Sequence, residues 1–246
     1  MRRLHLLFAL VLLAPVAASA AEKISKQQFT SRGSKRTYHL FVPEGLKGPA
    51  PVLIVFHGTG RNGLSVVEKW RDLAAREQFI VAGPDSKSPQ TWKTPEDGPD
   101  LLRDLVEELK AKHPVNPRRV YLFGHSGGAV FALGMAMFES KYFAAAAVHA
   151  GAWRDAREMR LAEYAKRKIP LAIVVGDRDP LFPVEAVRAT GARLKEKGIE
   201  AEVTVLKGHT HWYYDKAAEI NEQLWGYLKR QELTEEPEFE QYEFGN

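Results

Sequence analysis

Val120-Tyr121-Leu122-Phe123-Gly124-His125-Ser126-Gly127-Gly128-Ala129-Val130 is the stretch on which the fold of this chain turns. Its first four residues are apolar and β-branched or aromatic, as in a strand buried on both faces, and from Gly127 to 139 small and apolar residues continue as a helix. Between strand and helix stands G-x-S-x-G, with glycine two residues before and two after Ser126. A strand that turns at once into a helix lifts the intervening side chain into a strained, exposed position. Glycine at those two places removes the Cβ atoms that would collide. The first amides of the helix point at the lifted hydroxyl and favour developing negative charge. Five residues with three fixed recur by chance; the strand before and the helix after make this one a nucleophile elbow.

Outward from the elbow the pattern repeats. Short apolar runs at 38–42, 52–56, 79–82, 120–123, 144–148, 171–175 and 203–206 predict strands, most of them too continuously apolar to face water on one side. Helical spacing fills 65–77, 99–112, 127–139, 158–168, 183–197 and 215–229, with Leu101, Leu102, Leu105, Val106 and Leu109 forming one apolar stripe. Asp97 or Gly98 before Pro99 predicts a helix start and Pro114 a stop. Alternating strands and helices imply an α/β fold, a mostly parallel central sheet with helices on both faces. Only about 21 residues separate the strand at 148 from the next at 171, too few for a lid domain.

A nucleophilic hydroxyl needs a base, and the base an orienting acid; on such a scaffold they follow in the order Ser, Asp/Glu, His. After the strand at 171–175 comes Gly176-Asp177-Arg178-Asp179-Pro180, in which either carboxylate could serve. Asp179 is the expected acid because it must clear the turn to reach an imidazole, with Asp177 the alternative. The last strand runs into Lys207-Gly208-His209-Thr210-His211-Trp212, and His211, one loop's length on and before an aromatic run, is the expected base, with His209 the alternative. The oxyanion hole should combine the amide of Gly127 with one from the loop His57-Gly58-Thr59-Gly60, Thr59 first and Gly60 next, leaving His57 structural. Trp92, Trp153 and Trp212 fall on loops at the expected carboxyl ends of strands or beside the triad, as candidate walls of a substrate pocket.

Composition narrows the chemistry further. With no cysteine among 246 residues, a thiol nucleophile, an iron–sulfur site and Cys-ligated zinc are excluded. His209-Thr210-His211 alone lacks the further ligands of a zinc hydrolase, so no metal and no cofactor is expected. The net charge of +4 is spread among acids, as in Arg103-Asp104 and Lys195-Glu196-Lys197, a solvated face and not a phosphate-binding patch; no nucleic-acid partner is expected. Arg2-Arg3, the apolar run 6–13 and Ala18-Ser19-Ala20 have the order of a signal peptide over 1–20, cleaved after Ala20, which predicts a secreted or periplasmic protein without stable membrane insertion. The α/β domain then spans 21–230. Residues 231–246, with six Glu and no Lys or Arg, predict an acidic, disordered tail.

These features together resemble the α/β-hydrolase superfamily, and within it the secreted esterases similar to polyhydroxybutyrate depolymerases and feruloyl esterases. The likeness runs from about Thr37 to Leu228 and rests on Val52–Gly60, on His113-Pro114-Val115-Asn116-Pro117-Arg118-Arg119-Val120-Tyr121 leading into the elbow, on Phe143–Val148 and on His211-Trp212. It departs at Thr59, where these enzymes often carry Cys, and at Gly127, where they often carry Asn or Ala. The resemblance implies a Ser126, Asp179, His211 triad that hydrolyses small or oligomeric esters through an acyl-enzyme, without a cofactor; a serine peptidase or an acyltransferase on the same fold is the alternative, and a non-catalytic binding protein a more distant one. The oligomeric state is left open by these residues.

Overall fold

The computed structural model describes residues 23–240. Eight strands, β1 (Ser25–Ser31), β2 (Ser34–Phe41), β3 (Ala50–Phe56), β4 (Ile80–Pro84), β5 (Val115–His125), β6 (Ala145–His149), β7 (Leu171–Gly176) and β8 (Ala201–Leu206), form one sheet in the order β1-β2-β4-β3-β5-β6-β7-β8. β2 pairs antiparallel with β1 and with β4, and all the other pairs are parallel. The connecting helices are α1 (Gly63–Glu77), α2 (Pro99–Lys112), α3 (Gly127–Phe138), α4 (Ala156–Met159), α5 (Val184–Glu196) and α6 (Ala217–Leu228).

The continuously apolar strands are explained by two cores, one on each face of the sheet. Along β3, Val52, Ile54 and Phe56 face the core under α2, α3 and α5, while Leu53 and Val55 face the one under α1 and α6. Successive side chains of a strand point to opposite faces, so a strand covered on both sides must be apolar at every position. Fully burying each such side chain is worth about 1.5–3 kcal/mol. This is the expected α/β architecture, with no large lid.

At four places the structure departs from the sequence reading or adds to it. β1 has no counterpart in the sequence reading because Ser25-Lys26-Gln27-Gln28-Phe29-Thr30-Ser31 is mostly polar; it is an edge strand that buries only Phe29 and Ser31. The helix expected at 158–168 shrinks to the four residues of α4 and one 3₁₀ turn, Arg160–Glu163, because the segment has little apolar surface to bury: no residue of α4 and only Ala162 of the turn is buried. Gly98, not Asp97, caps α2, without a side-chain bond. Asp97 is fully buried and anchors the loop before α2, accepting from Arg36 Nη2 (2.6 Å) and from the amides of Lys87 and Lys93 (both 2.9 Å). Finally, the acidic segment from 231 has neither helix nor strand, yet through Glu240 it lies against the domain. Leu233 is buried and exchanges two hydrogen bonds with Arg118, and Lys141 pairs with Glu238 at 3.0 Å. An apolar anchor and two cations hold a stretch that composition alone marks as disordered. The remainder of that tail and the segment 1–20, where a signal peptide is expected, lie outside the described residues. No helix among the described residues is long and apolar enough to cross a membrane.

Candidate active site

β5 ends at His125, in register with His149 of the parallel neighbour β6, and the Ser126 N–H continues that pairing by donating to His149 O at 3.1 Å. Ser126 itself sits at φ 57°, ψ −121°, a conformation that costs a non-glycine residue about 1–3 kcal/mol. Packing on both sides enforces it. A Cβ on Gly124 would lie 2.1 Å from Gly128 O, and one on Gly128 2.4 Å from Phe56 O, so neither position admits a side chain.

Two loops at the carboxyl edge of the sheet bring the other groups. Beyond β7, Asp179 is buried; its Oδ1 accepts the amides of Leu181 (2.8 Å) and Phe182 (2.9 Å), leaving Oδ2 to accept from His211 Nδ1 at 2.9 Å. His211 Nε2 in turn lies 2.9 Å from Ser126 Oγ, which donates to it. The imidazole is held between Phe182, nearly parallel at 5.8 Å, and His125 at 5.1 Å. Asp177, two residues before Asp179, plays a different part. It is exposed, and its Oδ1 accepts the Gly208 amide at 2.6 Å, tying the β7 loop to the β8 loop. His209 is directed away from Ser126, with its Nε2 2.9 Å from His149 Nε2. Of the two pairs left open by the sequence, the structure therefore brings Asp179 and His211 to Ser126.

Gly127 opens α3 beside the β3 loop: Thr59 N lies 3.7 Å, and Thr59 Oγ1 3.1 Å, from where a Cβ on Gly127 would stand. The Gly60 amide is already committed to Pro89 O at 2.7 Å. His57 is buried, its ring receiving the Ser86 amide at 3.2 Å, while its carbonyl accepts the Trp92 indole N–H at 2.9 Å. Burial lowers its pKa. Of the three tryptophans, Trp92 is half-buried near the site and Trp212 is exposed with the Arg61 guanidinium 5.0 Å over its ring. Trp153 is a correction. It is fully buried in the core over α3 and α5, because the chain after β6 turns inward and its amide is bound by Thr190 Oγ1 at 2.9 Å; it forms no pocket wall.

One group escaped the sequence reading. His125, His149 and His209 form a buried chain, Nδ1 to Nδ1 at 3.1 Å and Nε2 to Nε2 at 2.9 Å, directly behind His211. Burial, reinforced by the charge of neighbouring imidazoles, depresses the pKa of His125 to about 3 and of His149 to about 2. The only sequence signal is the strand register that sets His125 beside His149, and that register is a property of the sheet. Among the described residues no cluster of three His, Asp or Glu side chains is arranged to hold a metal ion.

A hydroxyl bonded to an imidazole that is itself bonded to a buried carboxylate is the arrangement of a serine hydrolase. Residues 84–229 match the dienelactone hydrolase family. Poly(3-hydroxyalkanoate) depolymerase C of Paucimonas lemoignei is 28% identical over 163 residues, 61% of this chain and 39% of that protein. The chain spans half or less of the length of the curated relatives it matches. Among solved structures, a ferulic acid esterase superposes with a TM-score of 0.67 at 16% identity, covering 85% of this chain and 98% of the other. An S-formylglutathione hydrolase from Agrobacterium tumefaciens gives 0.65 at 18%, covering 84% and 94%. At such identities the two structures speak for the fold alone.

Proposed function

This chain belongs to the dienelactone hydrolase family, and on that premise we propose that it is an exported carboxylic-ester hydrolase with Ser126 as nucleophile, His211 as base and Asp179 as orienting acid. The hydrogen-bonded line from Asp179 through His211 to Ser126 carries this reading. His211 Nε2 takes the hydroxyl proton as Ser126 Oγ attacks the ester carbonyl, and returns it to the leaving alcohol as the C–O bond breaks. Water, deprotonated by the same nitrogen, then releases the acid from the acyl-enzyme. Asp179 keeps the imidazole in the tautomer whose Nε2 is free to accept. The amides of Gly127 and Thr59 bind the oxyanion, each such donor being worth about 2.7–4 kcal/mol in the transition state. Small or oligomeric hydroxyacyl and aromatic esters are the proposed substrates, a reading supported by the partial likeness to the poly(3-hydroxyalkanoate) depolymerase.

Titration with a serine-directed phosphonate should add one adduct, on Ser126, and abolish hydrolysis of p-nitrophenyl acetate. An unmodified intact mass together with no turnover would overturn the proposal. A panel of feruloyl, short-acyl and hydroxybutyrate-oligomer esters, with a peptide as control, ranks the substrates. Export by the segment 1–20 predicts that protein recovered from the periplasm or medium begins at Ala21.

A further inference from the structure

Gly134 is a glycine without a packing reason. It lies in the middle of α3, where alanine is the better helix former, and a Cβ there would meet only Leu161 Cδ1, at an ordinary 3.8 Å. Gly124 and Gly128, by contrast, are required by contacts well under 3 Å. What Gly134 does border is a cavity of about 720 Å³ between α3 and the α4 segment. Its walls include Trp92, Val130, Phe131, Phe138 and Leu161. Trp92 stacks on Phe131 at 4.7 Å and 16°, which presents a flat apolar wall. From Val130 to Phe138 the helix rises about 12 Å.

Two residues of its wall are bonded to the catalytic segments: the Val130 amide donates to Ser126 O at 3.1 Å, and the Trp92 indole N–H to His57 O in the loop that carries Thr59. Four charges stand at its rim. Asp155 and Glu158 accept backbone amides around the start of α4, and Arg157 and Arg160 stand beside them. The aromatic and aliphatic side of the groove, along α3, offers its apolar surface to an apolar group.

We propose that this groove is a substrate subsite for an apolar group extending from the ester toward Phe138, and that Gly134 determines its capacity by leaving the floor open. The inference rests on the ester-hydrolase reading above. Two substrate series test it: p-nitrophenyl esters of straight-chain acids from two to ten carbons, and acetates of straight-chain alcohols of the same lengths. In Gly134→Leu the kcat/KM of the long member relative to the short one should fall by about tenfold, the worth of two buried methylenes, through KM. The short esters should change less than about twofold, since an interaction absent from the short substrate cannot be lost. Leu161→Trp, from the opposite wall, should act the same way and serves if Gly134→Leu fails to fold. The series that responds identifies the acyl or the alcohol side.

Unchanged chain-length preference in both series for a folded variant would overturn the subsite. Absence of p-nitrophenyl acetate hydrolysis in the unsubstituted protein would instead overturn the hydrolase reading.

Discussion

The two faces of α3 are built to different tolerances. Toward the sheet, its first residues are packed so closely against Phe56 and Gly124 that a single methyl is excluded, and Ser126 is held at φ 57°. Toward α4, the same helix leaves an open groove and a glycine that nothing requires. Strain is sustained where a reacting oxygen must be placed to within a fraction of an ångström, because the surrounding packing over-determines it. Where the substrate supplies the surface, the protein has no such constraint.

Asp179→Asn strikes the tight side hardest. It should lower kcat by about 10³–10⁴ with the melting temperature little changed, because the amide leaves the geometry but no longer holds the right tautomer. Asp177→Asn should stay within a few-fold, and if it alone removed activity the assignment of the acid would be reversed. Gly128→Ala should destabilise the fold by about 3 kcal/mol or more, at the upper end for an overpacked core, as read by denaturant unfolding. A stable Gly128→Ala protein with normal kcat would break the contrast between the two faces.

The buried imidazoles give the tight side a pH signature. Their folded pKa values, about 3 for His125 and about 2 for His149, lie below the unfolded value near 6.5, so on acidification the unfolded chain takes up protons first. Their contribution to stability is present above pH ~6.5 and is lost as pH falls from there toward 3, with a slope of up to about 2.7 kcal/mol per pH unit for two protons. Urea unfolding at intervals from pH 7 to 4.5 measures it, and His149→Phe should reduce the slope by up to about 1.4 kcal/mol per pH unit, the share of one proton. The smallest effect belongs to the open side: Gly134→Ala should stabilise the protein by about 0.5–1 kcal/mol, the helix-propensity difference. A loss of stability there would mean that packing, not the groove, requires the glycine.

Local chemistry settled what was legible from the residues alone. The strands 52–56, 120–123 and 171–175 could be read because continuous apolar runs have few other uses, and Ser126 because the glycine spacing reports a collision that any strand-to-helix turn creates. Polarity concealed β1, and helical spacing over 158–168 overstated a helix that has little apolar surface to bury, since both depend on what covers them. Asp177 and Asp179 are the same residue type two positions apart in one loop, as are His209 and His211 in another. Position in the loop favours Asp179 and His211, and tertiary structure decides: which carboxylate is sheltered among the amides of Leu181 and Phe182, and which imidazole faces Ser126 rather than His149, follows from how β6, β7 and β8 align their ends. Trp153 went inward and Gly134 onto a cavity floor for the same reason. A side chain's chemistry is carried by its residue type, but its neighbours are set by distances across the sheet that no local spacing encodes.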